Sequence, residues 1–260
     1  AIGIYFTNVR FIIVDTFTVG EFIVQTNIFI KKNKKIKKKL VLLSPNAICS
    51  NKTVNDMFCN EVFIIKNNLI CLILSPLTYI YFISLRVIEL KKGLLPLHTF
   101  SKGYIDIYDE YLFCEHKYSK VSYDLNKKFF SFNNFSNKLG IKLKRKICVL
   151  NIRSDKNSDL RNANINKFDK SINFLISKGY FVINISNKKL RARKNLINLI
   201  DYENYKELQI YSIFNSSIYL GQSSGLTSLA SLLNKRIIVT DVILYKESWI
   251  NKNYISIFKK

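Results

Sequence analysis

The sequence predicts an α/β chain made of Rossmann-like, doubly wound parallel sheets. Three observations predict it. Apolar runs of strand length recur along the 260 residues, and most are near-continuous rather than alternating, as strands covered on both faces are. Segments with helical spacing separate them, and strand–helix alternation of this kind specifies parallel strands joined by right-handed crossovers. The length admits one large domain or two small ones, and 48% hydrophobic residues can fill a sizeable core.

The second half reads most clearly. "KICVLNI" (146–152) is a near-continuous apolar run of strand length. Apolar residues at 165, 168, 172, 175 and 176 mark a helix over 165–178, and Gly179 is the expected stop signal. "YFVINI" (180–185) and "LINLID" (196–201) are strands, "YKELQIYSIF" (205–214) a helix and "SIYL" (217–220) a strand. A helix then starts at Leu226, and "RIIVTD" (236–241) is the fifth strand. The chain ends soon afterwards, with little length for a further helical layer.

The first half shows the same alternation. "RFIIVDTF" (10–17), "KLVLLSP" (39–45) and "EVFIIK" (61–66) read as strands, with helices over 20–32 and 51–60. The polar stretch 117–144 reads as the connection. The expected division is an N-terminal α/β domain with linker, 1–140, and a C-terminal domain, 141–260. No internal repeat of short fixed period is present.

Lys and Arg exceed Asp and Glu by 41 to 18, a formal charge of +23. Such a charge fits a nucleic-acid binder. However, Asn, Ile, Phe and Tyr are enriched along with Lys, the mark of an AT-rich genome, and no nucleic-acid motif is present. No specific nucleic-acid partner is expected. Five cysteines at 49, 59, 71, 114 and 148 have no C-x-x-C spacing, which fits reduced thiols rather than a disulfide framework. Two histidines, at 98 and 116, are too few and too scattered for a metal centre. No cleavable signal peptide is evident. The apolar stretch 69–85 is broken by Ser75, Pro76 and Thr78, and it falls short of the roughly 20 clean apolar residues of a membrane span. It reads as buried or interfacial.

In open parallel sheets, ligands bind beyond the carboxyl ends of the strands. Four places there carry suitable chemistry. Gly221, Ser223, Ser224 and Gly225 join a strand to a helix, where unpaired backbone N–H groups and the helix dipole favour a diphosphate. Helix capping by either serine explains the same residues without a ligand. Arg153 follows the strand at 146–152, and its planar guanidinium suits phosphate. Arg161 and Asn162 precede the next helix, where Asn162 or Asn164 could equally be a cap. Asp201 and Tyr202 follow the third strand. Two arginines and a helix N-terminus on one edge describe a diphosphate pocket.

The residues "CVLNIRS", "DLRNANINKFDKSINFLISKGYFVINIS", "LIDYEN" and "YLGQSSGLTSLASLLNKRIIVTD" resemble, in order, a family of bacterial glycosyltransferases. Its members carry an HVRDS-like strand end, a D-x-R-N segment, a "DY" loop and a G-x-SGL turn. The likeness runs over roughly 147–241. It implies a GT-B architecture, two Rossmann-like domains facing a cleft, with a nucleotide-diphosphate sugar bound mainly by the C-terminal domain. Arg153 is also similar to the arginine that meets the donor diphosphate in fucosyltransferase-like enzymes. Two positions depart from the pattern. Asn151 stands where the family has histidine, and Ser154 stands where it has aspartate, with Asp155 one step later.

Glycosyl transfer requires a stabilised leaving diphosphate and, for inversion, a base. No D-x-D motif is present, so no metal or other cofactor is expected, and arginines with helix N–H groups would supply the positive field. Glu21, after Gly20 at the start of a helix, resembles the Gly–acid pair of related GT-B enzymes and is the candidate base. Favourable placement of an acid at a helix start explains it equally. Seven lysines between Lys31 and Lys39 are either a solvated helix end or a contact with anionic lipid near a lipid-linked or glycan acceptor. The expected location is cytoplasmic, peripheral at the inner face of the membrane, in cell-surface polysaccharide synthesis.

Overall fold

The computed structural model of the chain describes residues 9–13, 19–34, 39–46, 51–75, 124–140, 146–153, 162–242 and 253–259. The chain divides into two compact units, Ala1–Asn126 and Lys127–Lys260.

The first unit carries a three-stranded parallel sheet in the order β1 (Val9–Ile13), β2 (Lys39–Leu43), β3 (Phe63–Ile65). The crossover from β1 to β2 contains α1 (Val19–Lys34), and that from β2 to β3 contains the short α2 (Thr53–Met57). From Phe22 to Lys31 every residue of helix α1 is buried. Phe22, Ile23, Val24, Ile28, Phe29 and Ile30 are buried, and so are Gln25, Thr26 and Asn27 between them. Lys31 is only 7% exposed. This corrects the expectation of a solvated or lipid-facing lysine run over 31–39 at its first member. Lys39 is exposed, and residues 35–38 lie outside the described residues. Of the apolar stretch 69–85, residues 69–75 are described and helical. Leu69, Ile70, Leu72 and Ile73 are exposed, while Cys71 is buried. Among the described residues no helix is long and apolar enough to cross a membrane.

In the second unit, Phe130 and α3 (Phe132–Leu139) lie inside the stretch read as a connection. Ser131 caps α3 by accepting from Asn134 N, and Gly140 ends it at φ 65°. The left-handed backbone there is one that glycine adopts without steric cost. Phe130 stacks on Phe214 at 4.2 Å, and Phe135 is fully buried beside Tyr211.

The sheet of this unit has six parallel strands. They are β4 (Ile147–Asn151), β5 (Phe181–Asn184), β6 (Leu196–Asn198), β7 (Ile218–Gly221), β8 (Arg236–Val242) and β9 (Tyr254–Phe258). Their spatial order is β6-β5-β4-β7-β8-β9. Counted within the unit this is 3-2-1-4-5-6, the order of the dinucleotide-binding fold. Every residue of β4 is buried, as a central strand of a doubly covered sheet should be. Cys148, Leu150 and Ile152 pack in one core with Phe168 and Ile172 from the 165–177 helical segment. That segment is a 3-10 turn, Ile165–Phe168, capped by Asn164 and continued by α4 (Asp169–Ser177). Gly179 follows at φ 80°. Helices α5 (Tyr205–Asn215) and α6 (Gly225–Leu232) complete the crossovers.

Two expectations need correction here. The segment 196–201 is a strand only as far as Asn198, and 199–201 turn as a 3-10 helix. The residues after the fifth strand form a sixth one, β9, paired in parallel with β8.

Candidate functional site

The strand order reverses between β4 and β7, so the switch point of the sheet lies at their carboxyl ends. Register fixes which residues meet there. Asn151 is opposite Gly221, and Gly221 is opposite Val239 of β8. A Cβ at position 221 would lie 2.0 Å from the Asn151 carbonyl oxygen. Glycine is therefore dictated by the neighbouring strand, and Gly221 gives its space to that strand's backbone.

Beyond Gly221 the chain turns through Gln222, Ser223 and Ser224 into α6. Gln222 is 1% exposed. Its Oε1 accepts from Arg153 N at 2.6 Å, and its Nε2 donates to Thr240 Oγ1 at 3.0 Å. One amide thus ties the ends of β4, β7 and β8. The Gln222 backbone N–H donates to the Asn151 carbonyl at 3.1 Å.

Beneath the turn lies a buried polar cluster. Asn151 Nδ2 donates to Tyr219 Oη at 2.7 Å and to Ser224 Oγ at 2.8 Å. Thr227 Oγ1 lies 3.2 Å from both Tyr219 Oη and the Gln222 carbonyl, and accepts from Ser224 N at 3.1 Å. Complete burial raises the Tyr219 pKa, and its hydrogen bonds to Ser224, Thr227 and Asn151 offset part of the rise. The phenol stays neutral and serves as a hydrogen-bonding post. Ser224 is the N-cap of α6 and turns its hydroxyl inward to Asn151. Ser223 is 9% exposed, and its hydroxyl has no hydrogen-bond partner among the described residues.

The polar row continues along the edge. Ser186 Oγ accepts from Ile152 N at 2.6 Å. Asn184 Nδ2 donates to Asn198 Oδ1 at 2.8 Å, and Asn198 exchanges bonds with the backbone of Leu190. Register places Asn184 beside Leu150 and Asn198 beside Asn184. Uncharged amides and hydroxyls therefore satisfy one another across strand ends that would otherwise present unpaired polar groups.

Of the residues picked out by sequence, the structure brings Arg153, Gly221, Ser223, Ser224 and Gly225 together at the switch point. Asn162 is next to Ala163, whose N–H donates to the Arg153 carbonyl at 3.3 Å, so this segment returns to the same strand end. Arg161, Ser154 and Asp155 lie outside the described residues. Asp201 and Tyr202 sit past β6, two strands away from β4. Asp201 is exposed and pairs with Lys189 at 2.9 Å, an ion pair at the surface rather than at the switch point. Glu21 is the third residue of α1, in the first unit.

Sequence reasoning placed Gln222 in the turn but gave no role to it, to Asn151 as a hub, or to the Thr240–Asp241 end of β8. Asp241 has φ 55° without being glycine, a torsion with no sequence signature beyond the tolerance of Asp for it.

No family model matches the chain, and no curated protein matches it. Two solved structures are similar to it. E. coli ADP-heptose LPS heptosyltransferase II aligns over 89% of this chain and 84% of its own, with a TM-score of 0.55 at 10% identity. TibC, an iron-containing dodecameric glycosyltransferase of enterotoxigenic E. coli H10407, aligns over 97% of this chain with a TM-score of 0.50 at 10% identity. This chain spans 62% of that one.

The fold is GT-B-like. At 10% identity the likeness carries no assignment of residues. Within a GT-B-like frame, the 3-2-1-4-5-6 sheet is the second unit, and its switch point is the candidate site.

Proposed function

We propose that the chain is a GT-B glycosyltransferase that takes a nucleotide-diphosphate sugar at the switch point of its second sheet. One observation carries this reading. The Arg153 strand end and the turn that opens α6 are joined through Gln222 at the place where the strand order reverses. In this reading a diphosphate meets the guanidinium, the first N–H groups of α6 and the Ser223 hydroxyl there. In this reading they stabilise the leaving group through fixed donors. Glu21 of the first unit is the base that takes the proton of the acceptor hydroxyl. The acceptor is a glycan or lipid-linked precursor of a cell-surface polysaccharide, met at the inner face of the membrane.

A thermal-shift screen tests this reading with nucleoside diphosphates and their sugar conjugates on the wild-type chain and Arg153→Ala. A ligand at a hundred times its Kd stabilises by about 2.7 kcal/mol. Stabilisation by diphosphate forms, reduced in the variant, is the expected result. Failure of every nucleotide diphosphate to stabilise the wild type sinks it.

Asn151 favours a second reading, in which the pocket binds nucleotide without turnover. Where the resembling family has a histidine, this side chain is committed to Tyr219 and Ser224 and has no proton to transfer. Binding with neither transfer nor donor hydrolysis would select that reading.

A further inference from the structure

We propose that Asp241 is a recognition residue for the hydroxyl-bearing part of the donor, held in place by Gln222. The inference rests on the reading of the switch point as a diphosphate-sugar site. It starts from a local irregularity. Strand β8 pairs with β9 in register up to Val239–Ser256 and resumes at Val242–Phe258, so β8 carries one extra residue between them. Such a bulge bends the strand and re-aims a side chain. Within it Asp241 adopts φ 55°. That torsion is disfavoured for residues with a Cβ, and Asp and Asn bear it best after glycine.

The irregular backbone turns the carboxylate toward the end of β7. Asp241 Oδ2 accepts from Thr240 Oγ1 at 3.1 Å and, at a longer 3.4 Å, from Gln222 Nε2. Gln222 holds Arg153 N with its other end. One buried amide therefore sets the spacing between the arginine strand end and the carboxylate. Asp241 Oδ1 receives no hydrogen bond among the described residues.

A carboxylate beside a diphosphate site does not bind phosphate, because like charges repel. It accepts hydrogen bonds from hydroxyl groups, and it disfavours a further anionic substituent on the guest. The ribose and the transferred sugar are the two polyhydroxylated parts of a nucleotide sugar, and both offer this chemistry. In this scheme Gln222 is a positioning residue and acts through Asp241.

The experiment uses the full chain with inorganic pyrophosphate, nucleoside diphosphates and their neutral sugar conjugates as probes. Asp241→Asn keeps the size and the tolerance of the torsion. Asp241→Gly relieves the torsion altogether. Both variants are expected to bind hydroxyl-bearing ligands roughly ten- to a hundredfold more weakly, the range for hydrogen bonds to a charged group. Pyrophosphate affinity does not fall, since removing a nearby negative charge can only favour an anion, and Asp241→Gly melts no lower than the wild type. Loss on both the nucleoside diphosphates and their conjugates places the carboxylate on the ribose. Loss on the conjugates alone places it on the sugar. Either result supports the proposal.

Unchanged affinity for all hydroxyl-bearing ligands, in a wild type that binds them, overturns it while leaving the diphosphate reading intact. A wild type that ignores pyrophosphate and every nucleotide overturns both. The Gln222→Glu/Asp241→Asn pair reverses donor and acceptor. It is expected to bind better than Gln222→Glu alone, which sets two carboxylates side by side. A double variant no better than Gln222→Glu counts against the positioning role.

Discussion

The Gln222 side chain accepts the Arg153 backbone N–H at 2.6 Å, through an amide that is 1% exposed. The same amide donates to Thr240. Gln222→Ala leaves the Arg153 N–H and the Thr240 hydroxyl without this partner and opens a small cavity. A loss of about 2–3 kcal/mol is expected, read as a lower midpoint in urea with an unchanged m-value.

Gly221→Ala is expected to be worse. The new methyl group would overlap a carbonyl oxygen of β4 at 2.0 Å, and backbone in a central strand cannot move aside cheaply. Destabilisation of at least about 3 kcal/mol, or no soluble folded protein, is the expected outcome. A variant with wild-type stability would contradict the described pairing of β4 and β7.

Tyr219→Phe keeps the packing of the ring and removes the hydroxyl on which Asn151 and Thr227 converge. A cost of about 1–2 kcal/mol follows from the unsatisfied groups left behind. An ultraviolet titration gives a second readout. The Tyr219 phenol is pushed above its ordinary pKa by burial and should ionise only as the protein unfolds.

Two groups give stability a pH dependence of opposite sign. Burial pushes the Cys148 thiol from 9.0 up to about 12. Between those values the unfolded chain releases a proton that the folded chain keeps, so stability falls as pH rises. Burial lowers Lys235 from 10.5 to about 8. Between pH 8 and 10.5 the unfolded chain holds a proton that the folded chain lacks, so stability rises with pH. From pH 9 to 10.5 the two slopes oppose each other. Lys235→Met should expose the fall and Cys148→Ala the rise, as measured by denaturation at stepped pH. The neutral amine keeps two N–H groups for the Phe214 and Ser216 carbonyls that it meets at 2.6 and 2.9 Å.

Phe130→Ala removes a fully buried ring that stacks on Phe214 and lies 4.9 Å from Tyr211. Truncation of such a ring costs about 3–5 kcal/mol. Calorimetry should show the loss in the second unit.

The parallel α/β plan was legible because β4, β5 and β7 are short apolar runs separated by helical spacing, a pattern that only covered parallel strands require. Strand β9 was not. Ile255 and Ile257 are exposed on it, so "YISIF" alternates as an edge does, next to a β8 whose bulge hides the pairing. Arg153 and the 223–225 turn could be found because strand ends and glycine–serine junctions have known chemistry. Gln222 could not, since a buried amide that bridges three strands looks in sequence like any surface glutamine. Gly221 was read as part of the turn that admits a diphosphate, whereas the space its missing Cβ leaves is taken by the Asn151 carbonyl. Lys31 was misjudged because a lysine run reads as solvent whatever its first member packs against.

The edge of the second sheet is fastened by Asn151, Asn184, Asn198, Gln222 and Ser186, none of which gains or loses a proton in the working range of a protein. Ionic strength and acidity therefore leave the mould itself unaltered. A bell in a pH–rate profile, or a salt effect on affinity, will report the guest and the few charged groups that touch it.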